Sequence, residues 1–134
     1  GLYEYIRGGK NFTFDQLNDN IKQYDVDRII IAVTIMAYNI AHLDKIYWWF
    51  EDNKQDNWEI YFNNVVAAPP YLNPRILPNK ILDKIDFRFP NINYTQDKFL
   101  GKHIDKFINY TKDLDKIRNT NVLKYCPELT ELFV

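Results

Sequence analysis

The fold class depends most on one apolar segment, Ile29-Ile30-Ile31-Ala32-Val33-Thr34-Ile35-Met36. β-Branched residues dominate it, and apolar side chains occupy both its odd and its even positions. This composition predicts a β-strand that is covered on both faces. A continuous apolar run also fits the start of a buried helix, because periodicity does not separate the two over so few residues. The alternative is therefore an all-α bundle in which residues 25–52 form one central helix.

Two segments rich in aromatic and β-branched residues follow, residues 45–51 and 58–65. They flank the polar stretch 52–57, which consists mainly of turn-forming residues, and the whole predicts a β-hairpin. Its even positions form an apolar face, for which we expect a place in the core. These positions are Ile46, Trp48, Phe50, Trp58, Ile60 and Phe62.

The odd positions of the hairpin carry rings set among charges. We weigh three explanations for these rings: a helix or strand of this chain that covers them, a surface that recognises another protein, and a platform for stacking bases or sugars. Tyr and Trp dominate the energetics of protein interfaces, whereas the carboxylates of Glu51 and Glu59 would repel the phosphates of a nucleic acid. The partner-binding residues predicted on this basis are Tyr47, Trp49, Tyr61, Lys45 and Glu59.

Helices are expected on either side of these strands. Thr13 and Gln16 fit a capping box that precedes an amphipathic helix over about residues 14–24. A longer amphipathic helix is predicted over about residues 96–118, where apolar residues recur every three to four positions and lysines fill the other face. Gly101 lies within this pattern and suggests a close approach to a neighbour.

The remaining segments connect these elements. Residues 67–78 hold four of the six prolines and predict an extended connection between two halves of one domain, residues 1–134. Residues 85–89 alternate in polarity and stop at Pro90, which favours an edge strand. The predicted fold is thus α+β: a small antiparallel sheet, made of the Ile-rich strand and the Trp-rich hairpin, packed with two amphipathic helices.

Composition restricts the function more than it identifies it. The chain has 134 residues, a net charge of −1, one cysteine and no serine, which excludes an internal disulfide and a serine nucleophile. Its longest weakly polar run is too short to span a membrane, so we expect a cytoplasmic protein. Cys126 precedes Pro127 and is expected to cap a short final helix. We assign no catalytic residue, cofactor or metal.

The function we expect is therefore that of a non-enzymatic protein–protein interaction module, an accessory, structural or inhibitory protein that binds another protein or itself. A first alternative is a nucleic-acid-binding protein that uses the mildly basic C-terminal half, where residues 71–134 carry 11 basic and 8 acidic residues. A second is a small metal-dependent enzyme in which His42 and His103 share a site. The lysines of the first alternative are Lys98, Lys102, Lys106, Lys112 and Lys116.

Overall fold

A computed structural model describes residues 1–8 and 13–134 of the chain. The described residues form two β-strands and six α-helices, joined by short 3₁₀ turns. The strands are β1 (Ile29–Ile35) and β2 (Trp58–Val65); the helices are α1 (Leu2–Arg7), α2 (Phe14–Lys22), α3 (Leu43–Asn53), α4 (Asn79–Leu82), α5 (Ile104–Arg118) and α6 (Thr130–Phe133).

The two strands pair in parallel, with Ile29 opposite Trp58 and Ile35 opposite Val65. The α+β class is confirmed, but the prediction of an antiparallel sheet built on a hairpin is wrong. Two parallel neighbours need a crossover connection instead of a tight turn. The crossover here is α3, which occupies the residues predicted as the first strand of the hairpin.

Residues 45–51 are helical, although their apolar positions fit both a helix and a strand. Leu43, Ile46 and Phe50 recur at helical spacing, and Leu43 and Phe50 are buried in the core. Ile46 and Phe50 also fit the alternation of a strand, so a segment of this length does not discriminate between the two. The patterns differ at Trp48, which a strand would bury and which α3 leaves 54% exposed. The expected core position of Trp48 is therefore wrong.

The all-α alternative is also wrong, because residues 25–52 do not form one helix. β1 ends at Ile35, and the chain turns before α3 begins. The Asn39 side chain holds this turn: its Oδ1 accepts from the Met36 N–H at 2.9 Å, and its Nδ2 donates to the Thr34 carbonyl at 2.9 Å. These bonds satisfy backbone groups that would otherwise be left without partners as the strand ends.

The start of α2 agrees with its sequence signal. The Thr13 hydroxyl accepts from the Gln16 N–H at 3.2 Å, and the Gln16 side chain accepts from the Thr13 N–H at 2.8 Å, so both bonds of the capping box form. The helix ends at Lys22, two residues before the predicted limit.

The helix predicted over residues 96–118 forms only as α5, which begins at Ile104 after a 3₁₀ turn. The Asp97 carboxylate accepts from the N–H groups of Phe99 and Leu100, as an N-cap does, and the chain then passes through the 3₁₀ turn Gly101–His103 before α5. Gly101 does mark a close approach, since a Cβ there would lie 2.9 Å from the Gln96 amide nitrogen.

Residues 85–89 form no strand, so the predicted edge strand is wrong. Arg88 donates to the carbonyls of Leu82 and Ile85, each at 2.8 Å, which folds the segment back on α4. The ring of Phe89 then stacks on Phe62 of β2, with 4.2 Å between ring centroids. This segment therefore packs an aromatic ring on the sheet, while its backbone does not pair with a strand.

The core extends beyond the sheet to both ends of the described chain. The Pro-rich segment contributes to it, because Pro74, Ile76 and Leu77 are buried. Phe107 of α5 and Leu129 near the C-terminus belong to the same cluster. The fold therefore brings the C-terminal residues against the turn that precedes α3.

Candidate functional site

The five residues predicted to bind a partner fall into two groups. Glu59 and Tyr61 lie on β2, whereas Lys45, Tyr47 and Trp49 lie on α3. Since the parity that united them assumed a strand over residues 45–51, the structure does not bring them onto one face.

The two rings of α3 contribute to packing. Tyr47 is half-buried and contacts Phe87, with ring centroids 5.6 Å apart. Trp49 is half-buried against Phe14 at 5.1 Å and Trp58 at 6.5 Å. These contacts agree with the explanation that other elements of the chain cover the rings.

Tyr61 and Glu59 share a surface with β1 that we call the outer sheet face: Ile30, Ala32 and Thr34 on β1, and Glu59 and Tyr61 on β2. The pairing sets Ile30 opposite Glu59 and Ala32 opposite Tyr61. Ile30 is 50% exposed and Tyr61 41% exposed, while Ala32 and Thr34 are also open to solvent. Sequence reasoning missed Ile30 because the apolar pattern of β1 predicts a strand covered on both faces.

A hydrogen-bonded group holds the polar margin of this face in place. Arg28 donates to both carboxylate oxygens of Glu59, from Nε at 2.9 Å and from Nη2 at 2.6 Å, and the Tyr61 hydroxyl donates to Glu59 Oε2 at 2.6 Å. The bonds from Arg28 lower the pKa of Glu59, and the bond to Glu59 raises the pKa of Tyr61. The hydrogen bond to Glu59 therefore orients the Tyr61 side chain.

The lysines of the nucleic-acid alternative are all exposed, but they do not form one stripe. Lys112 and Lys116 lie one turn apart on α5, whereas Lys106 projects from another side of the helix and sits over the Tyr71 ring, 5.1 Å from its centroid. Exposed carboxylates, Asp105 and Asp113, lie between them. Lys98 and Lys102 precede the helix.

Among the described residues, three potential metal ligands from distant parts of the sequence come together: His42, Cys126 and Glu128. His42 Nε2–H donates to Glu128 Oε1 at 2.8 Å, and the Cys126 thiol donates to the Tyr38 carbonyl at 3.2 Å. His103, which the metal-enzyme alternative pairs with His42, is not part of this cluster. No motif predicts the cluster, because His42 and Glu128 lie 86 residues apart.

Cys126 also precedes a 3₁₀ turn that leads into α6, as its position before Pro127 predicts. Its side chain is fully buried and makes no capping bond. Burial, reinforced by the Glu128 carboxylate, raises the pKa of the thiol. A protonated thiol is a poor nucleophile, so this environment does not favour covalent catalysis by Cys126.

Comparison with known proteins identifies no relative: no family model, no curated protein and no solved structure matches the chain. Within the described ranges, no helix is long and apolar enough to cross a membrane.

Proposed function

We propose that this protein is a non-enzymatic protein-interaction module and that another protein covers its outer sheet face. One observation carries the proposal: β1 has the composition of a parallel strand buried on both faces, yet only its inner face is covered within the described residues. Parallel sheets occur almost only with both faces covered. A partner that packs on Ile30 and Ala32 would complete the burial that the composition of β1 predicts.

The chemistry of the outer sheet face favours a protein over a nucleic acid. Ile30, Ala32 and Thr34 are uncharged, and the charge of Glu59 is already paired with Arg28. Exposed apolar patches with a polar rim are typical of protein interfaces. Because its hydroxyl is already bonded to Glu59, the Tyr61 ring loses little conformational freedom when a partner packs on it.

The edge of β1 indicates the kind of partner segment. Among the described residues β1 pairs only with β2, so its other edge forms no ladder with a further strand. An unpaired edge is a template for an added strand, and β-strand addition is a common way of binding an extended peptide. We therefore propose that the partner contributes an extended segment to this edge and apolar side chains to the adjacent face.

A photo-crosslinking amino acid at position 32 tests the proposal directly. Position 32 lies on the outer sheet face. When the protein that carries this group is illuminated in its native source, it should form a discrete protein adduct that mass spectrometry identifies. The control places the same group at Ile117, which is 79% exposed on α5. The proposal would be contradicted if positions 32 and 117 gave the same adducts, or if position 32 gave no adduct.

Binding of the identified partner then gives the quantitative test. Tyr61→Ala should weaken it by about 2 kcal/mol, roughly 30-fold in Kd, as is typical of an interface hot spot. Phe99→Ala, at another exposed ring, should leave Kd unchanged. Binding of the chain to a nucleic acid, with an affinity that falls steeply with salt, would instead support the nucleic-acid alternative. An adduct with a second copy of this chain would redirect the proposal to self-association.

A further inference from the structure

The geometry points to a divalent-metal site of the zinc class formed by His42, Cys126 and Glu128. His42 ends the 3₁₀ turn before α3, while Cys126 and Glu128 flank Pro127 at the start of the C-terminal turn. The core packing of the C-terminal residues brings the two turns together. The site is separate from the outer sheet face, so its test does not depend on the proposed function.

The distances fit a tetrahedral ion after a small adjustment. The imidazole nitrogen, the sulfur and a carboxylate oxygen all lie within 4.8 Å of one another. Ligands of a tetrahedral zinc ion, bound at about 2.0–2.3 Å, lie about 3.3–3.6 Å apart. Binding would therefore draw the sulfur closer and separate His42 from Glu128, now 2.8 Å apart, by about half an ångström.

The donor set selects the class of metal. One nitrogen, one sulfur and one oxygen suit Zn²⁺, whereas Mg²⁺ and Ca²⁺ prefer oxygen ligands alone. Three protein ligands leave a fourth position for water, and the Glu128 side chain, 20% exposed, provides the side open to solvent.

The charge balance suits the buried position of the site. A thiolate and a carboxylate together neutralise a divalent ion, and a neutral group costs much less to bury than an isolated charge. Binding releases the thiol proton of Cys126 to solvent, and a His42 imidazole that binds the metal through Nε2 carries a proton on Nδ1. The two hydrogen bonds that now link these groups to Glu128 and to the Tyr38 carbonyl would be exchanged for metal–ligand bonds.

Cobalt binding tests the site, because thiolate coordination to Co²⁺ gives a charge-transfer band in the near ultraviolet. The full chain, treated with a chelator and dialysed, should bind one Co²⁺ per molecule with this band and with the visible bands of tetrahedral cobalt. Added Zn²⁺ should abolish both. Absence of the charge-transfer band at saturating Co²⁺ would overturn the proposal.

Variants assign the ligands. Cys126→Ser should remove the charge-transfer band, and its persistence would show that the sulfur is not a ligand. Glu128→Gln lies at the exposed side and keeps an oxygen acceptor for His42, so the fold should persist by circular dichroism while Co²⁺ affinity falls by at least about tenfold. An unchanged affinity in Glu128→Gln would equally refute the site. His103→Gln is the matched control and should bind Co²⁺ like the unaltered chain.

Discussion

The two faces of β1 both carry apolar side chains, but in different surroundings. On the inner face, Ile35 and Phe62 are both buried. Aromatic rings from α3 and from the segment after α4 contact Phe62. On the outer face, Ile30 and Tyr61 remain open to solvent. Because both faces are apolar in β1, composition alone does not tell them apart. The comparison shows that an apolar position of this sheet is a core position only where another element reaches it.

Phe62→Ala is expected to have the largest effect, since Phe62 is buried and stacked on Phe89. The loss of its contacts and the cavity that remains should lower the free energy of unfolding by about 3–5 kcal/mol, measured by urea denaturation. Phe99→Ala, the exposed control, should change it by no more than about 0.5 kcal/mol. Equal effects of the two changes would mean that the inner face is not packed as described.

Trp49→Ala comes next, because this ring helps to cover the inner face from α3. We expect a loss of about 2 kcal/mol, less than for a fully buried aromatic residue, since Trp49 is half-buried between Phe14 and Trp58. Its neighbour Trp48 is largely exposed, and Trp48→Ala should cost less than about 1 kcal/mol. A larger loss for Trp48 than for Trp49 would favour the strand pattern over α3.

Changes on the outer sheet face should have small effects on stability. Ile30→Lys should alter the free energy of unfolding by no more than about 0.5 kcal/mol, because both side chains reach solvent there. Urea denaturation of Ile30→Lys and Ile35→Lys compares the two faces. Ile35→Lys should lower the free energy of unfolding much more, because it places a charge in the core. A loss of several kcal/mol for Ile30→Lys would show that this chain itself covers the outer face.

The smallest expected effect concerns the titration of Glu59. The pKa of its carboxyl group, measured by NMR titration, should lie below the ordinary value of 4.5, because Arg28 stabilises the charged form. A lowered pKa in the folded state means that the contribution of Glu59 to stability is present above pH 4.5 and is lost as the pH falls through the lowered value. Arg28→Gln should return the titration toward 4.5, and an unchanged midpoint would exclude the ion pair in solution.

Sequence reasoning succeeded where a local signal was sufficient. The capping box at Thr13 and Gln16 places the start of α2, and the β-branched run 29–36 marks β1 to within one residue. It failed over residues 45–51, where a strand and a helix bury overlapping sets of residues. Because this segment was assigned the period of a strand, the predicted sheet was antiparallel. A helix between two strands allows the parallel crossover that a short loop does not.

The candidate sites show the same division between local and long-range information. Tyr61 and Glu59 could be predicted because alternation along one strand places them on the same side. Ile30 was missed, since whether a strand position is covered depends on elements distant in sequence. His42 and Glu128 were not connected by any pattern, because only the packing of the C-terminus against the turn before α3 brings them together.

The amino-acid sequence by itself determined the α+β class, the first strand, the cap of α2 and the alternation that sets Tyr61 beside Glu59. These features follow from side-chain shape, backbone preference and hydrogen bonds between residues close in the chain. Only the tertiary structure decided the parallel pairing, the open outer face of the sheet and the meeting of His42 with Cys126 and Glu128. Each of these depends on which distant surfaces pack together, and local composition permits more than one such packing.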